Sequence, residues 1–194
     1  MELFSRIDHV SLAVREFERA SDFFERVFRV VPGASGSPGE IWDFRWQVFS
    51  FGDLTRLELI SPNGAGGFLK EFLSKREGGV HHITIETPDI KKVQDHLDRN
   101  NVPYFGYSEE LDNWKELFIH PRNAFGVLIQ IAEFRADDWL SESVKFPEKG
   151  PRWSVESNGD EVNLAIAHPG GGKARISLSK KEAKGLIRDL EGAI

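Results

Sequence analysis

Two adjacent histidines head the stretch GGVHHITIETPDI, residues 78–90. Imidazole nitrogens ligate divalent metals and carry protons near neutral pH, so either ring could do chemistry. Neighbours on a strand point to opposite faces, however, and one site should use only one of the two. His82 shares its face with Thr84 and Glu86, whereas His81 shares its face with Ile83 and Ile85 and should meet a helix layer or the strand end. Upstream, RIDHVSLAV (6–14) places His9 on a face with Ser11 and Ala13. Two other apolar segments each carry one polar interruption: Glu58 stands between Leu57 and Leu59, and Gln130 between Ile129 and Ile131.

These four polar residues keep one register. His9 and His82 are 73 residues apart, and Glu58 and Gln130 are 72 apart. An offset held across two landmarks indicates an internal repeat, here of a βαβββ unit too small to bury its own sheet face. In the first copy the strand 6–14 precedes a helical stripe of Phe17, Ala20, Phe24 and Val27. The loop PGASGSPG, strand-like IWDFRWQVFSF (41–51) and LTRLELISP (54–62), and a short helix ending at a glycine pair follow. The second copy has VHHITIET, Pro88 at a first helical position, Ile90, Val93 and Leu97 on a helical stripe, then WKELFIHP and FGVLIQIAEF. If the two sheets curl around a shared cavity, two imidazoles, a carboxylate and an amide oxygen converge, which is a nitrogen and oxygen set suited to a divalent metal. The expected fold is therefore α+β, with paired βαβββ modules (1–77 and 78–135) forming a curved mixed sheet around a central cavity.

Residues 136–194 fall outside the repeat. ADDWLSESVKFPEKGP reads as a linker, and RWSVES, an Asn158-Gly159 hairpin signal, EVNLAIA, the turn HPGGGK, ARISLS and a final helix read as a small β-hairpin and helix extension. Ser179 and Glu182 form a capping box for that helix. The run GGGKA lacks both the hydroxyl residue after lysine and the following helix that a phosphate loop needs. Composition narrows the rest. The chain has no cysteine, which excludes disulfides and thiolate ligands, and a net charge of -6 with no basic stripe argues against a nucleic-acid surface. No apolar run approaches the roughly 20 residues that span a bilayer, and MELFSRIDHV has no secretory core, so a cytoplasmic protein without membrane contact is expected. His96 reads as a helix-boundary residue, His120 as a strand end and His168 as a turn residue; Trp42, Trp46 and Trp114 fall on strands that would floor the cavity.

The DHVSLAV opening, the GGVHHITIE strand after a short helix and the FIHPRNAFGVLIQ ending resemble the vicinal oxygen chelate (glyoxalase, bleomycin resistance, dioxygenase) superfamily, and within it the methylmalonyl-CoA epimerases. The resemblance covers residues 5 to 134. It implies a divalent metal (Co, Zn, Ni, Mn or Fe) held by His9, Glu58, His82 and Gln130, the four positions that the repeat singles out. It also implies a small-molecule substrate, an acyl-CoA thioester in the epimerase case, and it allows a homodimer. The family carries glutamate where Gln130 stands, and an amide cannot accept a proton. That leaves Glu58, Glu40 and Asp43 as carboxylates for proton transfer, with Lys70, Lys75 and Arg76 as cations for coenzyme phosphates. Three readings follow: an epimerase working through a metal-stabilised enolate; a glyoxalase I-like isomerase or lyase, or an iron-dependent dioxygenase, on the same scaffold; and a small-molecule binding protein without catalysis.

Overall fold

The computed structural model describes residues 3–36, 43–52, 54–63, 67–111 and 113–194. Period-two alternation in RIDHVSLAV yields β1 (Arg6–Val14), and the helical stripe after it yields α1 (Phe17–Phe23), continued by a π-helical turn over Phe24–Phe28. β2 (Val31–Gly36), β3 (Phe44–Ser50) and β4 (Arg56–Pro62) complete the first module. After the short α2 (Phe68–Leu73), the order repeats as β5 (Gly78–Glu86), α3 (Ile90–Arg99), β6 (Phe105–Leu111), β7 (Trp114–Ile119) and β8 (Leu128–Phe134).

Three boundaries differ from the sequence expectation. α2 stops at Leu73, and the pair Gly78-Gly79 opens β5 instead of ending the helix. β2 forms on residues whose Pro, Gly and Ser content reads as loop. It lies at the sheet edge against β3 alone, with a register break between Pro32 and Ser35, and an edge tolerates a proline that donates no ladder bond. Pro88 is not the first helical residue. Asp89 caps α3 by accepting from the Lys92 backbone N–H at 3.1 Å, and the proline precedes the cap.

All eight strands join one curled mixed sheet in the order β2-β3-β4-β1-β5-β8-β7-β6, which reads alike from either edge once the modules are exchanged. β1 and β5 pair antiparallel at the centre, flanked by their parallel partners β4 and β8. On the outer face Phe17 of α1 packs on Phe49, Leu57 and Leu59, and Ile90, Val93 and Leu97 of α3 pack on Leu117 and Ile131. Each such side chain contributes roughly 1.5–3 kcal/mol of burial. This commits Leu57 and Leu59 to the helix side, so Glu58 must project from the inner face. Across one end of that inner face lies α2, where Leu69 and Leu73 pack on Ala13 and Ile60.

The C-terminal residues build a separate antiparallel sheet of β9 (Trp153–Asn158), β10 (Glu161–Ala167) and β11 (Lys173–Ser179), followed by α4 (Lys180–Ala193). The Ser179–Glu182 capping box starts α4 as the sequence indicates. Between the two sheets, Ala136–Trp139 and Glu142–Val144 form short 3-10 turns. Among the described residues no helix is long and apolar enough to cross a membrane.

Candidate metal centre

Strand register brings the four repeat-matched residues together. Ser11 on β1 pairs with Glu58 on one side and His82 on the other, while Thr84 on β5 pairs with His9 and Gln130. The two rows exchange under the internal repeat, and the small residues Ser11 and Thr84 at their centres leave room between the larger ones. His9 Nε2 lies 3.8 Å and His82 Nε2 3.5 Å from the same Glu58 Oε2. These three groups form the cluster of potential ligands found among the described residues.

Two β-bulges aim the rings. In the β1–β5 ladder Ile7 pairs with Ile85 and His9 with Thr84, which leaves Asp8 as an extra residue; Ser11 pairs with His82 and Leu12 with Val80, which leaves His81. A bulge breaks strict alternation, so each extra residue stays on the side of the histidine that follows it. This corrects the expectation that His81 faces away. Its ring packs between Phe68 and Phe72 of α2, and Asp8, His9, His81 and His82 all line the cavity. Each bulge residue also contacts Nδ1 of its neighbour: Asp8 Oδ2 is 2.7 Å from His9 Nδ1, and His81 Nδ1 is 2.9 Å from His82 Nδ1. Donation of Nδ1–H outward by both rings would leave the lone pairs on Nε2, toward Glu58.

The electrostatics of this pocket call for a cation. Burial pushes the Glu58 carboxyl up, against the pull of His9, and burial holds His82 far below the usual imidazole range, helped by His9 and His81. His81 is lowered to about 4 by burial. Glu58 Oε2 and His82 Nε2 are buried with no hydrogen-bond partner. Such orphan acceptors each cost about 1–3 kcal/mol unless something fills them. Thr84 adds to the surplus of lone pairs: its single hydroxyl proton faces both His9 Nε2 at 2.8 Å and Gln130 Oε1 at 2.5 Å, and can satisfy one of them. The donor set of two imidazoles, a carboxylate and an amide oxygen fits a divalent ion of the first transition row.

The cluster floors a cavity of about 990 Å3, bounded by both modules and α2. Phe44, Trp46, Trp114 and Phe118 give it apolar walls, Trp42 lies outside the described residues, and His120 follows β7 at its edge. Besides Asp8, Glu116 and Trp139 line the cavity without having been singled out by the sequence. Glu116 on β7 is half-buried beside Gln130, accepting from Gln130 Nε2 at 2.6 Å and from Trp114 Nε1 at 2.9 Å. Burial pushes its carboxyl up, with those two hydrogen bonds opposing. Trp139, in the segment read as linker, closes the cavity by packing on Trp46 and Trp114 at 5.5 and 4.9 Å between ring centroids. Of the other candidates, Asp43 is exposed at the foot of β3 and does not line the cavity, Glu40 lies outside the described residues, and Lys75 and Arg76 line the cavity while Lys70 does not.

Behind His9 lies an ionic cluster. Asp8 accepts from the Arg56 guanidinium and, at 2.6 Å, from Arg6, which also holds Glu86 at 2.9 Å. Burial alone would raise the Asp8 carboxyl, but His9, Arg56 and Arg6 together hold it below the usual carboxylate range. Arg56 and Asp8 are 2% and 3% exposed, so removing one partner strands the other in a low-dielectric site. Arg56→Met should therefore destabilise the protein by about 3–5 kcal/mol in urea unfolding, and a loss under about 1 kcal/mol would mean that Arg6 alone neutralises Asp8.

Residues 8–118 match the sequence model of a family described as the Glyoxalase/Bleomycin resistance protein/Dioxygenase superfamily. An ethylmalonyl-CoA/methylmalonyl-CoA epimerase of Cereibacter sphaeroides is 31% identical over 137 residues, which are 68% of this chain and 99% of that protein. The mitochondrial methylmalonyl-CoA epimerase of Homo sapiens is 29% identical over 135 residues, 66% of this chain and 73% of that protein. Among solved structures, methylmalonyl-CoA epimerase from Mycobacterium tuberculosis has a TM-score of 0.62 at 22% identity, covering 69% of this chain and 90% of that chain.

Proposed function

We propose, since the chain belongs to the glyoxalase/bleomycin resistance protein/dioxygenase superfamily, that it is a metal-dependent enzyme that epimerises a 2-substituted malonyl thioester, with methylmalonyl-CoA as the named case. The observation that carries this reading is the convergence of His9 Nε2, His82 Nε2 and Glu58 Oε2, two of them orphaned, at the floor of a cavity large enough for an acyl group. His9, Glu58 and His82 would hold the ion, with Gln130 Oε1 as the fourth ligand. A divalent ion there would supply Lewis acidity toward negative charge developing on a substrate oxygen.

The protein's own residues must move the proton. Epimerisation takes a proton from one face of the carbon and returns one to the other, so two groups are required. Of the carboxylates that line the cavity, Asp8 is held by Arg6 and Arg56, which leaves Glu116 and Glu58, on β7 and β4 of opposite modules, beside the ligand cluster. Asp43 is turned to solvent, and Gln130 cannot accept a proton. Trp46, Trp114 and Trp139 exclude water from the reacting carbon, and Lys75 and Arg76 at the cavity wall suit the phosphates of a coenzyme A thioester. In deuterated water the metal-loaded protein should wash deuterium into the 2-position of methylmalonyl-CoA. Stoichiometric metal without that exchange would sink the epimerase reading.

One observation favours a second reading. Gln130 is tied at both ends, to Thr84 and to Glu116, and without it the remaining ligands are two histidines and one carboxylate, a set used by iron oxygenases. Oxygen uptake by the ferrous protein, in the absence of deuterium exchange, would select it.

A further inference from the structure

We infer that the C-terminal unit, through the glycine turn between β10 and β11, is a positioning element for the metal ligand His9. The inference rests on the metal reading above and assigns a role to a segment outside the two modules.

The turn His168–Gly172 reaches from the small sheet into the ionic cluster of the large one. The Gly170 carbonyl accepts from Arg6 Nη2 at 2.7 Å and from Arg56 Nη2 at 3.2 Å. Those same two nitrogens hold Asp8 Oδ1, and the other oxygen of Asp8 takes the His9 Nδ1 proton. The chain of contacts is continuous: Gly170 carbonyl, two guanidinium groups, Asp8 carboxylate, His9 ring. Outer partners of this kind set the tautomer and aim of a ligating imidazole.

The three glycines follow from the fit. Gly170, Gly171 and Gly172 are all buried. A Cβ on Gly170 would stand 2.3–2.5 Å from atoms of the Arg6 guanidinium. Gly171 and Gly172 have φ of +86° and +76°, and a Cβ on either would press on Ala136 or on Leu54 and the Val144 carbonyl. Gly172 N–H is also fixed by Asp137 Oδ1 at 2.7 Å, and Gly170 N–H by His168 Nδ1 at 2.9 Å. The motif that fails as a phosphate loop is thus a plug that lays one carbonyl oxygen between two arginines. Without it, the buried Arg56 and half-buried Arg6 guanidinium groups lose an acceptor and are free to draw Asp8 away from His9.

The test is cobalt(II) titration of the full-length protein, followed by visible absorption. Gly170→Ala displaces the flexible end of Arg6 and should weaken cobalt binding by about 10-fold or more while altering the ligand-field bands. Gly159→Ala strains the β9–β10 turn at φ +62°, where a Cβ meets nothing within 4 Å, and should leave affinity and spectrum at the parent values. A purely structural role would lower the melting temperature of both variants and move neither spectrum. Cobalt binding by Gly170→Ala with parent affinity and spectrum overturns the inference alone. A parent protein that binds no cobalt overturns the metal reading and the inference with it. Should Gly170→Ala fail to fold, hydrogen exchange in the parent protein decides: coupling is reciprocal, so cobalt should slow exchange of the Gly171 and Gly172 amides, and unchanged exchange overturns the inference.

Discussion

A His82→Ala protein should lose its divalent ion and, with it, about 10³-fold or more of its deuterium exchange into methylmalonyl-CoA, whereas His81→Ala should weaken metal binding by only about 10–100-fold. The difference follows from which nitrogen each ring offers. His82 points a buried, unpartnered Nε2 at Glu58, 3.5 Å away, so its removal deletes a ligand and leaves Glu58 Oε2 buried with one neighbour fewer. His81 instead meets the far side of the same ring, Nδ1 to Nδ1 at 2.9 Å, where it holds the tautomer in place. Losing it frees His82 to rotate or to protonate on the wrong nitrogen, which weakens the site but keeps the donor. Metal content after dialysis and a competition titration with a chromophoric chelator read both variants. Equal losses for the two would mean that both rings ligate; full metal occupancy in His82→Ala would place the ion elsewhere.

Why the adjacent pair divides in this way was only half legible in the sequence. Register across the repeat, His9 with His82 and Glu58 with Gln130, picks out the inward-facing residues because a strand buried on one face tolerates polar side chains only on the other. Strand alternation then puts His81 on the wrong side, since a bulge is a property of the pairing between two strands and leaves no mark on either alone. Asp8 escapes notice for the same reason, although it stands before His9 as His81 stands before His82. Glu116 does leave a signal, since it has the parity of Trp114 and Phe118 on the cavity wall, but a single Glu in WKELFIHP fits a solvent face equally well. Trp139 and the glycine turn are legible only in three dimensions, because their partners, Trp46, Trp114, Arg6 and Arg56, are supplied by strands far away in the chain.

Gln130 and Glu116 should behave as one unit in which amide and carboxylate are interchangeable as a pair but not singly. Nε2 of Gln130 donates to Glu116 Oε2 at 2.6 Å, so the amide is oriented with Oε1 toward Thr84 and the imidazoles while Glu116 stands as the acceptor beside the substrate space. Glu116→Gln removes the proton acceptor and should lower deuterium exchange by about 10²–10⁴-fold with metal content preserved. Gln130→Glu gives the position the residue usual in the resembling family, yet sets two carboxylates in contact where both cannot ionise. Exchange should therefore fall in that variant too, despite the added carboxylate. The double variant Glu116→Gln/Gln130→Glu restores one amide and one carboxylate in hydrogen-bonding contact, and its exchange rate should exceed that of either single variant by about 10-fold or more, a coupling that independent sites do not show. Rates that simply multiply across the two substitutions would reduce Glu116 to a packing partner of Trp114. Recovery in the double variant would instead mean that the missing glutamate of the closing strand has its counterpart one strand over, on β7, and that the proton-transfer group of this cavity can stand on either side of a single hydrogen bond.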